Sequence, residues 1–182
     1  MLHTIVVYVE NKPGVLSRVV SLFRRRAFNI DSLTVGRTEK PEVSRMTIVT
    51  DADDDQARRI VANVYKLVNV LLVDDVTGHP ALLRDLALVK VNATRETRSQ
   101  ILQLAEVFRA PVLDIASESI TVELTGGEEK VDRLLELLHP FGLLEVVRTG
   151  IVAMRRGAKS PVIVGRPVAP GHVEDDSVSY SV

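Results

Sequence analysis

The fold is decided by residues 11–32, NKPGVLSRVVSLFRRRAFNIDS, which contain a strand-to-helix turn, a helix and the start of a strand. Pro13 fixes its own φ angle, and Gly14 allows a backbone conformation and a close approach that a side chain would block. Apolar residues then recur at i, i+3, i+4 and i+7, which predicts a helix over 15–26 with one apolar stripe. That stripe consists of Leu16, Val19, Val20 and Phe23. Three arginines end the helix, where positive charge suits the negative end of the helix dipole.

The same turn predicts a site for a small anion. Backbone N–H groups of Val15 and Leu16, at the start of a helix, can receive a carboxylate or a phosphate. We expect Asn11 and Asn29 to flank this turn with neutral donors and acceptors, and Asp31 to offer a counter-charge to an ammonium group. A strand-to-helix turn that binds nothing explains the Pro-Gly pair equally well, so the residues alone leave both interpretations open.

Working outward, the pattern of the first 77 residues predicts the order β-α-β-β-α-β. Strands are expected at 2–10, 30–38, 43–50 and 69–76 because these runs are rich in β-branched residues. A second helix is expected after the acidic run 51–55, with its apolar face formed by Ala57, Ile60, Val61, Val64 and Val68. This order is that of a ferredoxin-like unit.

The order of elements then repeats. A strand is expected within 82–92, a helix from Thr94, short strands at 111–116 and 119–125, a helix after Gly127, and a last strand at 143–147. We therefore predict an α+β protein with two tandem ferredoxin-like βαββαβ domains, at residues 1–77 and 82–156. A mobile tail is expected at 157–182, where periodicity is lost and Pro, Gly and Ser accumulate.

Composition argues against several classes of function. The formal net charge is −1, and the sequence has no cysteine and no apolar run of the roughly 20 residues that cross a bilayer. We therefore expect a cytoplasmic protein that binds no membrane. An RNA-binding module, a rival interpretation, would stack bases on aromatic side chains of the central strands, where only Tyr8 is available, so we also expect no nucleic acid partner.

We find no motif of a catalytic or metal site. The four histidines are scattered, and the Asp51–Asp55 run lacks an EF-hand pattern and fits a helix start better. Gly126-Gly127 lacks the spacing of a phosphate-binding loop. A small acylphosphatase-like hydrolase would need an arginine in the first turn, where the chain has Lys12. We expect no catalytic residue, no metal and no cofactor in this chain.

Three stretches resemble one known family. They are N-x-x-G-x-L-S-R-V at residues 11–19, FNIDSLTV at 28–35 and SRMTI at 44–48. Together they closely resemble the opening of the regulatory small subunits of acetolactate synthase, also called acetohydroxyacid synthase. The resemblance covers roughly residues 1–157 and identifies the first domain as an ACT domain, the ligand-binding form of the ferredoxin-like fold.

The resemblance implies a regulatory subunit without chemistry of its own. Its partner would be the large catalytic subunit of acetolactate synthase, which it would activate and make sensitive to feedback inhibition by valine in branched-chain amino acid biosynthesis. Thiamine diphosphate, magnesium and FAD would belong to that partner. The alternative is an ACT-type amino-acid sensor that regulates a different enzyme, although the second domain argues against it.

The resemblance also implies where valine would bind. Carried over residue by residue, the effector pocket would use Asn11, Gly14, Val15, Leu16, Asn29 and Ile30. ACT domains pair side by side, so we expect a homodimer with the strand at 30–37 at a sheet edge and the ligand between subunits. One departure concerns Asp31, which stands where many relatives have Glu and which shortens the reach of that charge.

Overall fold

The computed structural model describes residues 1–157, so the tail predicted at 157–182 lies, beyond Gly157, outside the described residues. The first half of the chain forms a four-stranded sheet with two helices. Its elements are β1 (Leu2–Glu10), α1 (Val15–Arg25), β2 (Ser32–Arg37), β3 (Val43–Asp51), α2 (Asp54–Val64) and β4 (Val70–Asp75).

The second half repeats this architecture and adds one strand. Its elements are β5 (Ala81–Asn92), α3 (Arg98–Phe108), β6 (Val112–Ile115), β7 (Ser119–Gly126), α4 (Glu128–Leu138), a 3₁₀ turn (His139–Phe141), β8 (Leu143–Arg148) and β9 (Val152–Arg155). The predicted α+β fold with two tandem ferredoxin-like units is confirmed.

Both sheets are antiparallel, and in both the helices cover one face. The first sheet has the order β2-β3-β1-β4, and the second has the order β6-β7-β5-β8 with β9 on the first part of β5. Since side chains alternate along a strand, every second residue of β1 points into the helix-covered core, as Ile5, Val7 and Val9 do. As predicted, β2 lies at a sheet edge.

Two details of the predicted helices are wrong. The buried stripe of α1 contains Val15 and Leu22 beside Val19 and Phe23, whereas Leu16 and Val20 are 40% and 37% exposed. Both stripes have helical spacing, and packing on the sheet selects the one rotated toward Leu22. Val68 does not extend the apolar face of α2, because that helix ends at Val64 and the Val68 side chain is 80% exposed.

The second unit differs from the prediction at two places. Helix α3 begins at Arg98 and not at Thr94, because Thr94 and Thr97 bond each other in a turn before the helix. Strand β9 was not predicted at all. It is only four residues long and pairs with the start of β5, with Leu82 opposite Met154.

Strand β9 and its neighbours join the two halves of the molecule. Val6, Val76 and Ala153 form a small buried cluster on the face of the first sheet that the helices leave uncovered. Beside it the Arg155 guanidinium donates two hydrogen bonds to the Asp74 carboxylate, at 2.7 and 2.6 Å. The second unit therefore covers the open face of the first.

Candidate functional site

The first helix begins without a side-chain cap. Gly14 is its N-cap residue, with φ 78° in the left-handed region, and no side chain accepts from the first helical N–H groups. The Val15 N–H makes a long bond to the Lys12 carbonyl, at 3.4 Å. Within residues 1–157 the N–H groups of Leu16 and Ser17 have no acceptor. They remain available to an anion at the positive end of the helix dipole.

Space above this turn is open. A Cβ atom built on Gly14 would meet no atom within 4 Å. Within one chain, therefore, glycine is required here by the positive φ angle and not by crowding.

Asn11 holds a neighbouring turn in place. Its side-chain amide donates to the Pro41 carbonyl at 2.9 Å, and its backbone N–H donates to the Glu42 carbonyl at 2.7 Å. The turn between β2 and β3 is thereby tied to the loop before α1. Asn11 lies beside the helix start, as the sequence predicted.

A buried polar group that the sequence did not single out supports the same loop. Asn69 is 9% exposed, and its side chain donates to Glu10 at 2.6 Å and accepts from the Arg18 guanidinium. Lys12 adds an ion pair to Glu10 at 3.2 Å. The hydrogen bond from Asn69, assisted by Lys12, lowers the pKa of the Glu10 carboxyl below its usual value. A lone asparagine before the apolar run VLLV was the available signal, since a buried amide needs partners.

Asn29 and Ile30 lie at the opposite end of the first sheet. The Asn29 carbonyl accepts from the Thr50 hydroxyl, and Thr50 pairs with His3 at the start of β1, whereas the Gly14 loop follows its end at Glu10. Seven residue steps along β1 separate His3 from Glu10, a distance of about 23 Å. The expectation that Asn29 flanks the Gly14 loop is therefore wrong within one chain. The reason is topological: β1 and β2 are both antiparallel to β3, so α1 returns the chain to the far end before β2 begins.

The Asn29 end has its own polar cluster. The Asn29 side-chain amide donates to the Asp31 carboxylate at 2.7 Å, and the Asp31 N–H donates to the Val49 carbonyl at 2.9 Å. Both Asn29 and Asp31 are exposed. This end therefore offers an amide and a carboxylate to a ligand.

A cavity of about 350 Å³ lies on the other side of Asn11. Its lining consists of Glu10, Asn11, Lys12, Lys40, Glu42, Val43 and Leu71, so the predicted donors Gly14, Val15 and Leu16 do not take part. The six predicted effector residues are thus divided between two places within one chain, with Asn11, Gly14, Val15 and Leu16 at one end of the sheet.

Two features of residues 1–157 concern other classes of function. Across residues 1–157 no group of three or more His, Asp or Glu side chains could hold a metal ion. In the same part of the chain, no helix has the length and apolar character needed to cross a membrane. The Asp51–Asp55 run contains the cap of α2: Asp53 accepts from the Gln56 N–H at 2.7 Å.

Family models match both halves of the chain. The model described as "AHAS small subunit-like ACT domain" matches residues 5–72. The model described as "Small subunit of acetolactate synthase" matches residues 84–157.

Whole proteins are similar over the same range. The acetolactate synthase small subunit of Mycolicibacterium smegmatis is 46% identical over 157 residues, which cover 86% of this chain and 92% of that protein. The small subunit of Mycobacterium leprae is 46% identical over 157 residues, with 86% and 93% covered. The crystal structure of the Thermotoga maritima small subunit has a TM-score of 0.81 and 39% identity, and the match covers 87% of this chain and 99% of that one.

Proposed function

Since the chain belongs to the family of acetolactate synthase small subunits, we propose that it binds and activates the large catalytic subunit of that enzyme. We further propose that it makes the large subunit sensitive to feedback inhibition by valine, in cytoplasmic branched-chain amino acid biosynthesis. Thiamine diphosphate, magnesium and FAD would be bound by the large subunit. The small subunit would perform no chemistry itself.

One observation carries this proposal: similarity to this family extends through both halves of the chain. Family models match residues 5–72 and 84–157, and curated relatives match along 86% of the chain. An ACT-type sensor for a different enzyme would account for the first half alone. The second half therefore favours acetolactate synthase as the regulated enzyme.

Among residues 1–157 no strand pairs with the outer edge of β2, and this edge supports the proposed homodimer. The Thr38 N–H donates to the Val43 carbonyl at 3.1 Å, and the pairing of β2 with β3 continues from there with Arg37 opposite Ser44. Because inward and outward N–H groups alternate in an antiparallel pair, the N–H groups of Leu33, Val35 and Arg37 point away from β3. A second copy can pair with this edge through the same three residues.

Antiparallel pairing about a two-fold axis would complete the effector pocket. With Val35 opposite Val35 of the second copy, Asn29 of one copy comes opposite Pro41 of the other. The Pro41 carbonyl is the group that Asn11 holds. The two half-sites that lie at opposite ends of one sheet thus meet across the dimer, and two equal pockets result.

Each half-site has a role in this proposal. The valine carboxylate would accept hydrogen bonds from the N–H groups at the start of α1, at Val15 and Leu16, with Gly14 leaving the approach open. Asn11 of that copy and Asn29 of the other would bond the polar groups of valine. Leu16, which is 40% exposed, and the half-buried Ile30 would contact its branched side chain.

Reconstitution with the catalytic subunit tests the proposal. Acetolactate formation by the large subunit is measured alone, with the full chain, and with the chain and increasing valine. We expect the chain to raise the rate and valine to lower it again. A rate that does not respond to the chain would contradict the proposed function, and activation without any response to valine would contradict the effector assignment.

A further inference from the structure

A short connection between the sheets, residues 149–151, is bonded to both of them, and we call it the latch. On the first sheet its contacts are with β2. The Ile151 N–H donates to the Ser32 hydroxyl at 3.2 Å, and the Thr34 hydroxyl is 3.3 Å from the Thr149 carbonyl and 3.2 Å from the Ile151 carbonyl. Ser32 and Thr34 alternate with the residues whose N–H groups face the free edge. The strand that carries the proposed dimer edge is therefore the strand that touches the latch.

The second sheet holds the latch through a buried carboxylate. Asp85 is 1% exposed and accepts from the Gly150 N–H and the Thr149 hydroxyl, both at 3.2 Å. The Arg148 guanidinium donates to Asp85 at 2.6 Å and to Asp132 of α4 at 2.7 Å. A buried carboxylate is costly unless its acceptors are satisfied, so these bonds fix the latch on the second unit.

At Gly150 the latch packs closely against β2, and beside this contact lies a cavity of about 350 Å³ whose lining includes Ser32, Leu33 and Ile151. Gly150 has φ 82°, and a Cβ atom built on it would overlap the Ser32 hydroxyl oxygen and come within 3.3 Å of the Thr34 hydroxyl. A displacement of β2 that moves Ser32 toward Gly150 would push on the latch backbone. Since Asp85 binds Thr149 and Gly150 of the latch and also Arg148, the displacement would reach β5, β8 and α4.

We propose that the latch transmits effector binding at β2 to the second unit, so that Ser32 and Thr34 are positioning residues for valine inhibition. This inference rests on the function proposed above. A ligand can bias the second unit only through contacts that differ between two states, and the latch bonds are the contacts that movement of β2 would change. Valine bound between two β2 strands would thus alter the second unit without touching it.

The test uses the full chain with the double substitution Ser32→Ala and Thr34→Val, which removes both hydroxyls that bond the latch. It leaves the proposed pocket residues and the outward N–H groups intact. We expect calorimetry to show valine binding within about threefold of wild type, and reconstituted enzyme to keep its activation by the chain. The maximal inhibition at saturating valine should fall to less than about half of the wild-type value.

Two further variants distinguish a loss of coupling between β2 and the second unit from a general loss of folding or activity. Thr149→Val removes the bond to Asp85 from the other side of the latch and should reduce inhibition in the same way. Thr125→Val, on the exposed part of β7, is the matched control and should behave as wild type. Thermal unfolding of each variant shows that it is folded.

The outcomes distinguish the latch from the proposed function. A double variant that binds valine and is inhibited as fully as wild type would overturn the latch alone. The latch would also be overturned if the double variant bound valine weakly but was still fully inhibited by the valine that binds. Ser32 and Thr34 would then belong to the pocket. A wild-type complex that is activated but does not respond to valine would overturn the effector assignment and the latch with it.

Discussion

Gly14 has a positive φ angle and open space around it, so substitutions at this position test the proposed pocket directly. Its positive φ disfavours most side chains, but Asn and Asp adopt this region more readily than other residues. Because a Cβ would meet nothing within 4 Å, both substitutions fit within one chain. They have nearly the same size and differ in charge.

We predict that Gly14→Asp abolishes valine inhibition and leaves activation of the catalytic subunit intact. The new carboxylate would lie where the carboxylate of valine is proposed to bind, and two like charges repel. Gly14→Asn adds the same bulk without the charge and should lose less sensitivity. Inhibition curves of the reconstituted enzyme provide the comparison; unchanged valine sensitivity in Gly14→Asp would count against the pocket.

At the scale of single residues, the sequence could predict those whose role depends on their neighbours in the chain. The Gly14 turn and the loop-binding Asn11 were found because they stand next to the helix whose start they form. Asn69 and Asp85 were not singled out, since each works by bonds to groups far away in sequence. A polar residue in an apolar strand signals a buried partner, but the sequence does not say which one.

Helix α2 offers a test of local stability. Asp53 forms a capping box with Gln56, in which each side chain accepts from the other residue's N–H. Asp53→Ala should lower the free energy of unfolding by about 1 kcal/mol, because it leaves the first N–H groups of the helix without an acceptor. Urea unfolding measures this. Asp55→Ala, which removes an exposed ion pair with Arg58, should cost clearly less; equal losses would show that Asp53 is not the cap.

The loop before α1 should make stability depend on pH. Because the pKa of Glu10 is lowered in the folded state, its contribution is present above the unfolded value and is lost as pH falls through the lowered one. We predict that Glu10→Gln flattens the acid limb of a plot of Tm against pH below about pH 4.5. Asn69→Ala should have the same effect, since the hydrogen bond from Asn69 is the largest cause of the shift. Parallel acid limbs in wild type and Glu10→Gln would contradict this role.

Elements with strong periodicity were predicted well, and short or ambiguous ones were not. Strand β1 agrees at both ends, and the order of the first six elements is the predicted one. Strand β9 was missed because its four residues have no pattern of their own and owe their conformation to pairing with β5. The stripe of α1 was misjudged because two adjacent faces of that helix are apolar, and only tertiary packing distinguishes them.

At the scale of the whole molecule, the free edge of β2 predicts how two copies associate. The Val35 N–H faces away from β3, so proline at this position would leave the β2–β3 pairing intact and remove a hydrogen bond to a second copy. We predict that Val35→Pro shifts the chain from dimer to monomer in sedimentation analysis and abolishes valine binding. Val35→Ala keeps the N–H and is the control. A dimeric Val35→Pro variant that binds valine would contradict pairing through this edge.

The sequence could not reveal that the six candidate residues lie at two ends of the sheet. Asn11 and Asn29 are only 18 positions apart in the chain. Their separation follows from the parallel directions of β1 and β2, which is a property of the assembled sheet. If the residues form one pocket, each pocket must take residues from two copies.

That consequence can be measured with a mixed dimer. One copy carries Gly14→Asp and the other carries Asn29→Ala, which alone should weaken valine binding by about 1–3 kcal/mol through lost hydrogen bonds to a charged ligand. The two copies have different affinity tags, and the mixed dimer is purified through both. One of its two pockets would combine the intact Gly14 loop with the intact Asn29.

The decisive measurement is a calorimetric titration of this mixed dimer with valine. We predict about one binding site of wild-type affinity per dimer, although neither parent variant has any. A mixed dimer that binds no better than its parents would contradict a valine pocket built from two copies of the chain.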